Sequence, residues 1–491
     1  MLASLSFKAM ASEPTTNPPS GDLLLLNNLG QLVAVPTNEV HKSLLPPSDV
    51  GLERQLPTPE KGAPQPAALA ERTKESQTNL GTIWFPSAPP PLAPYLASQD
   101  EYGNTAVRDG ALLSVMPMEP WAQGAKYRLS DLGLRYSLKQ TLNYANLTDV
   151  MQGDNVLGFY TLDFKGKWSL YDSPDTGTAG WLSAHFGIKT GLNDAGATQS
   201  AHSNLGTFTQ PIGIWSRVNG IRVQELAWQQ SLREGELVVV AGMVNQGDYF
   251  DANAYASTGR GQFINSALID TMVVPLPAYS FGMNVQWQPA EEWYGMLGTS
   301  VGNGDAGQSP WTDFTWDNWS VISEFGFSKQ DFLGLGPGLY RIQPFLGQAQ
   351  GGPLSSGVGF NAQQQLGLKS PFGWFGRFGF GGKSRFQSGD ERTGGGAQLG
   401  TGFVMQAPLA HLGVVPRLRN DLFGVGFVWS HPTAGVRTIY HPDEFVLETF
   451  YTLQLAPMAK LQPDLQIVWK PAYNPDPGPA AVIQLQFILA W

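Results

Sequence analysis

Residues 482–491 read VIQLQFILAW. In an extended chain successive side chains point to opposite sides, so Ile483, Leu485, Phe487, Leu489 and Trp491 share one face and Gln484 and Gln486 the other. This is a strand with one dry face and one wet face. The pattern recurs upstream. Tyr279, Phe281, Met283, Val285 and Trp287 alternate with Ser280, Asn284 and Gln286, and Leu399, Thr401, Phe403 and Met405 with Gln398, Gly400 and Gly402. Tyr160, Leu162, Phe164 and Trp168 oppose Thr161, Asp163, Lys165 and Lys167, and Tyr340, Ile342 and Leu346 oppose Arg341 and Gln343. The wet faces carry glutamine, lysine, arginine and glycine. The dry faces carry large aromatics at segment ends, which suits a wall with lipid outside and water inside. A soluble sandwich more often buries its aromatics in mid-strand. An aromatic at the end of the last strand resembles the signal read by the outer-membrane assembly machinery, so that machinery is an expected partner through Trp491.

Composition agrees. Charged residues make up 14% of the chain, against about 25% in soluble globular proteins, yet mean hydropathy is only -0.16. No run approaches the ~18 apolar residues of a membrane helix, and Leu23–Leu26 breaks at once on Asn27 and Asn28. A closed barrel is then the remaining way to satisfy a backbone in lipid. With no cysteine, disulfides and thiolate metal sites are excluded, and the net charge of -10 argues against nucleic acid.

Residues 1–120 differ. They hold Asn17-Pro18-Pro19, Leu45-Pro46-Pro47 and Pro89-Pro90-Pro91 with no sustained periodicity, so a disordered segment or linker is expected there, and the barrel over 121–491. A short helix fits Ala67–Glu75, and strand-like alternation begins near Gly124. Met1–Ala11 has the stub of a signal peptide, without a basic start; because a barrel must be exported, a trimmed chain or misplaced start codon is expected.

Enzyme motifs fail on context. Gly298–Gly302 fits G-x-S-x-G, but the loop Asn303–Gly307 follows where that motif needs a helix. Gly381-Gly382-Lys383-Ser384 lacks the earlier glycine of a phosphate loop, with Arg377 in its place. The six histidines never pair at metal-ligand spacing, and Asp443-Glu444 reads as an inter-strand loop. No enzyme activity, cofactor or metal is expected.

Residues 242–268, GMVNQGDYFDANAYASTGRGQFINSAL, resemble the Tyr-Phe-Asp-x-Asn-x-Tyr-Ala and Gln-Phe-x-Asn pattern of the carbohydrate-selective porins (OprB), with Met243 where that family usually has lysine. Gly338–Arg341, Gly376–Gly379, Asn420–Gly426, Glu448–Tyr451, Leu461–Gln466, Pro471 and Asn474 extend the resemblance over roughly 130–491. It implies an antiparallel barrel of sixteen strands, in which about 22 residues per strand and loop would exceed the ~9–11 that each span needs. It also implies passive diffusion of carbohydrates across the bacterial outer membrane, as a monomer or homotrimer.

A sugar pathway must replace water's hydrogen bonds without holding its cargo. Strand parity turns Asp163, Lys165, Lys167, Lys189, Glu324, Arg341, Arg377 and Glu448 inward, and the motif loop adds Asp248, Asp251, Asn253, Arg260 and Gln262. These are the pore-lining and sugar-contact candidates. Each could instead be a wetted wall residue or one that folds its loop; Asp251 and Asn253 have side chains suited to the latter. The rival classes are a soluble sandwich or propeller that binds or processes carbohydrate, and a non-selective or structural outer-membrane barrel.

Overall fold

The computed structural model describes residues 22–26, 32–36 and 110–490, apart from 114–115, 174, 214–219, 257–258, 278, 291, 302–315, 317, 349–353, 369, 382–394 and 434–437. Two units are distinguished, residues 1–72 and 73–491. In the first, Asp22–Leu26 pairs antiparallel with Leu32–Pro36. The pairing joins two short apolar runs, Leu23–Leu26 and Leu32–Val35. The helix expected over Ala67–Glu75 lies outside the described residues, as does Trp491.

The second unit is a closed barrel of sixteen strands. In chain order they are Leu134–Leu147 (β1), Val156–Ser173 (β2), Thr178–Gly191 (β3), Gly220–Leu232 (β4), Leu237–Val244 (β5), Ser280–Ala290 (β6), Trp293–Val301 (β7) and Trp319–Lys329 (β8). Gly338–Gln348 (β9), Leu354–Gln365 (β10), Phe372–Gly381 (β11), Gly395–Gln406 (β12), Leu422–Pro432 (β13), Glu444–Ala456 (β14), Ala459–Trp469 (β15) and Ala480–Ala490 (β16) complete it. Every strand pairs antiparallel with its chain neighbours, and β16 closes on β1 from Val482 opposite Leu147 to Ala490 opposite Lys139. A closed ring leaves no strand edge unpaired. This architecture replaces the sandwich and propeller rivals.

Strand faces follow the alternation. Ile483 is 54% exposed on the outside, whereas Gln484 and Gln486 are 2% and 0% exposed on the inside. Outer aromatics gather toward the end where β2 meets β3 and β6 meets β7: Tyr171 stacks near Trp228, and Trp293 lies 4.5 Å from Phe327. Such a ring is the aromatic girdle of a membrane barrel. Most connections at this end are short, such as Pro457-Met458 joining β14 to β15, the exception being 407–421 between β12 and β13; the two longest, 192–219 and 245–279, lie at the opposite end.

Three boundaries differ from expectation. Glu119–Asp131 is a helix (α1) with Pro120 in its first turn and Arg128 in its last, so strand structure begins at Leu134 rather than near Gly124. Contact with the barrel starts before residue 121, since Leu112 and Leu113 donate to the carbonyls of Gln454 and Leu455. Tyr279 does not share the outer face of β6. At φ 58° it breaks the alternation, and its hydroxyl meets Arg222 of β4.

Candidate pore constriction

The connection between β5 and β6, residues 245–279, folds into the barrel and is buried along most of its length. Apolar packing fixes one side. Tyr255, Phe263, Leu268 and Met272 join inward-facing Phe375, Val404, Val428, Val446, Phe450 and Val468 of β11–β15. Tyr249, Phe250, Val273 and Val274 join Val238, Val240, Met296, Ile322, Leu339 and Phe345 of β5–β9. The wall makes room with glycine: a Cβ at Gly373 would stand 2.4 Å from the nearest atom of the Tyr255 ring. At Gly426 a Cβ would stand 2.7 Å from Phe263.

Polar wall residues then grip the loop backbone, which could not lie buried unpaired. Gln398 of β12 accepts from the Met272 amide at 2.5 Å and donates to the Ala267 carbonyl at 2.6 Å. Gln462 of β15 accepts from the Gly261 amide and donates to the Gln262 carbonyl. Glu448 of β14 accepts from the Ile264 and Asn265 amides at 2.5 and 2.9 Å and hydrogen-bonds Asp464 of β15.

Two buried arginines complete the anchor. Asp251 sits at φ 60°, a left-handed conformation that Asp tolerates. Its carboxylate meets Arg377 Nε at 3.1 Å and accepts from Asn361 Nδ2 at 2.6 Å and the Thr271 amide at 2.6 Å. Arg377 also donates to the carbonyls of Leu268 and Asp251. Beside it, Glu324 accepts from Tyr294 and Gln343, and Arg341 donates to the Tyr294 hydroxyl at 2.9 Å. Both arginines point inward, but under the loop. The Arg377 side chain is 0% exposed and that of Arg341 3%, so in this arrangement both wall cations hold the loop. Glu324, Glu448 and Asp251 share that fate. Asn253 donates to Asn361 and accepts from the Tyr255 amide, and Gln262 donates to the Ala254 carbonyl; both fold their loop.

Toward β1–β3 the loop is polar. Arg260 donates to Asp163 Oδ2 at 2.5 Å and to Thr141 Oγ1 at 3.0 Å. Asp248 lies 3.4 Å from Lys165 Nζ and 3.7 Å from His185 Nδ1. Burial alone would raise the Asp248 carboxyl, but Lys165 and His185 hold it well below the usual carboxylate range. His185 Nε2 also lies 3.4 Å from Asp163. Lys167 stands opposite Arg135 on β1, half-buried.

A second segment, between β3 and β4, caps the far half of this wall. Ala201, Leu205 and Ile212 pack on Ala145, Leu147, Leu157, Phe159 and Val482. Lys189 is enclosed there, 5.0 Å from the Phe159 ring centre. Glu444 holds the same segment by accepting from the Phe208 and Thr209 amides, while Asp443 meets Trp429 and His431, so the two neighbours form no acid pair. Gly298–Val301 is part of strand β7, with no nucleophile elbow. Sequence reasoning missed His185, Tyr294, Asn361 and Gln462, although each sits at an inward position that parity alone could have marked; Gln398 was read as inward but not as an anchor, and Glu444 was read as part of a loop although it opens β14.

The comparisons with known proteins agree with this geometry. Porin AaxA of Chlamydia felis (strain Fe/C-56) is 26% identical over 327 residues, 64% of this chain and 67% of that protein. Porin AaxA of Chlamydia caviae is 25% identical, covering 65% and 67%. The high-pH structure of Pseudomonas putida OprB shares the fold with a TM-score of 0.60 at 15% identity, over 78% of this chain and 99% of that one. The model of the carbohydrate-selective porin OprB family matches residues 173–352 and 346–488, and the chain belongs to that family.

Proposed function

We propose that the barrel is a passive pore for carbohydrates in the bacterial outer membrane, narrowed by the segment 245–279. The observation that carries this reading is the one-sidedness of that segment. Its apolar side is committed to β5–β15, while Asp248 and Arg260 face the polar wall of β1–β3. Solutes pass along this wall, where ammonium, guanidinium and amide groups exchange hydrogen bonds with sugar hydroxyls in place of water. Lys165, Lys167, Asp248 and Arg260 are the contact candidates that this placement favours, because they are half-exposed rather than sealed under the loop. The barrel works without turnover. Its long connections face outward and its short turns the periplasm, as in other such barrels, and the assembly machinery reads the terminal strand. Both a monomer and a homotrimer fit a ring closed within one chain.

The test is a bilayer recording on detergent-purified protein, followed by sugar uptake into proteoliposomes. Discrete conductance and carbohydrate uptake are expected. A heat-modifiable, folded barrel that passes neither ions nor sugars would be a structural anchor and would end the pore reading.

A further inference from the structure

The chain is acidic, with a formal charge of -10, yet the charges on its open inner wall are mainly positive. Arg135 and Lys139 of β1, Lys165 and Lys167 of β2 and the loop's Arg260 are all partly exposed, Arg260 beside Asp163. The carboxylates Asp163, Glu225, Glu324, Glu448 and Asp464 are buried. Partly exposed carboxylates of the loop are Asp248, held by Lys165, and Asp270.

Position turns this inventory into a path. Arg135 stands opposite Lys167, and Lys139 opposite Asp163. Inward positions on one strand recur every two residues, about 6.6 Å. The cations therefore run in steps from Arg260 at the loop toward the short-turn end. They stand on the wall half that neither lumen segment packs against through its apolar clusters. In a channel with low-dielectric walls, charges of one sign focus their field on whatever passes. Half-hydrated ammonium groups attract an anion without the rigid grip that would stall its release.

We propose that this lumen favours carbohydrates bearing a carboxylate, such as uronic acids, over neutral sugars. The proposal rests on the reading of the lumen as a sugar pathway and names the class of sugar.

The experiment uses the full chain in planar bilayers and proteoliposomes. The wild type should prefer chloride over potassium by roughly threefold or more in a salt gradient, and should take up glucuronate several-fold faster than glucose. Replacing Lys139 and Lys167 together by glutamine should bring both ratios close to one. Lys329→Gln, which removes a cation paired with Glu292 at the rim, should change neither. Should the double variant fail to assemble, salt does the same work on the wild type: from about 0.1 M to 1 M the screening length falls from ~10 Å to ~3 Å, and the chloride preference should shrink with it. Potassium preference, or equal uptake of glucose and glucuronate through a conducting pore, overturns this inference and leaves the sugar pore intact. A folded protein with neither conductance nor uptake overturns both.

Discussion

The guanidinium of Arg377 has no water to fall back on. Four acceptors surround it: both Asp251 oxygens, the Asp251 carbonyl and the Leu268 carbonyl. Removing one partner from such a pair costs about 3–5 kcal/mol, because the other charge stays buried. Arg377→Ala is therefore expected to lower the barrel's thermal transition and to free the loop, giving a larger and noisier single-channel conductance. A quiet channel of unchanged size would mean that the apolar packing alone holds the constriction. The sequence shows that Arg377 and Arg341 point inward, since parity is a local property. It does not show that another segment lies over them, because Asp251 meets Arg377 from 126 residues away.

Among elements, the strands and the loop differ in how they can be read. Most strands announce their faces within a few residues, and the outer ones make a sharp prediction. Phe403 is 53% exposed on the outside of β12, so Phe403→Arg should cost about 2–4 kcal/mol in lipid and slow assembly, seen as loss of the heat-modifiable band. Lys167→Gln, on the half-exposed inner wall, should fold normally; equal damage from both would invalidate the lipid-out parity. Gln398→Arg, also on the inner face of β12, should damage assembly, since that glutamine clasps Met272 and Ala267. The loop itself was visible as a motif but not as a lumen filler. Its signal is faint: Phe375, Val404, Val428, Val446 and Phe450 are apolar at inward positions, where a water-facing wall has no use for them. Reading those exceptions together with the apolar content of 245–279 would have placed the loop against β11–β15.

At the scale of the whole molecule, all sixteen ladders lie from Leu134 onward, and among the described residues the first to bond them are Leu112 and Leu113. Deleting residues 12–100 behind a working signal peptide should leave a heat-modifiable, conducting barrel; a chain that no longer folds would show that this segment guides or plugs it. The sixteen-strand count came from family resemblance rather than from periodicity, because a strand such as β11, with glycine at 373, 376, 379 and 381, alternates too weakly to be counted by itself. The seam between β1 and β16 carries a further consequence, one of timing. Across it the Ala481 amide donates to Thr148, 333 residues distant in sequence. Contacts so far apart make for slow folding, and the entropy of closing the ring is lost before the seam's bonds can form. The last strand must be made before the first has its second neighbour, so the whole chain waits unclosed in transit. Segment 245–279 touches Thr141 on one side of that seam and Gln462 and Gln486 on the other. Bonded to both lips, the loop ties the seam from within, so its contacts are closed together with the ring's last and slowest ones.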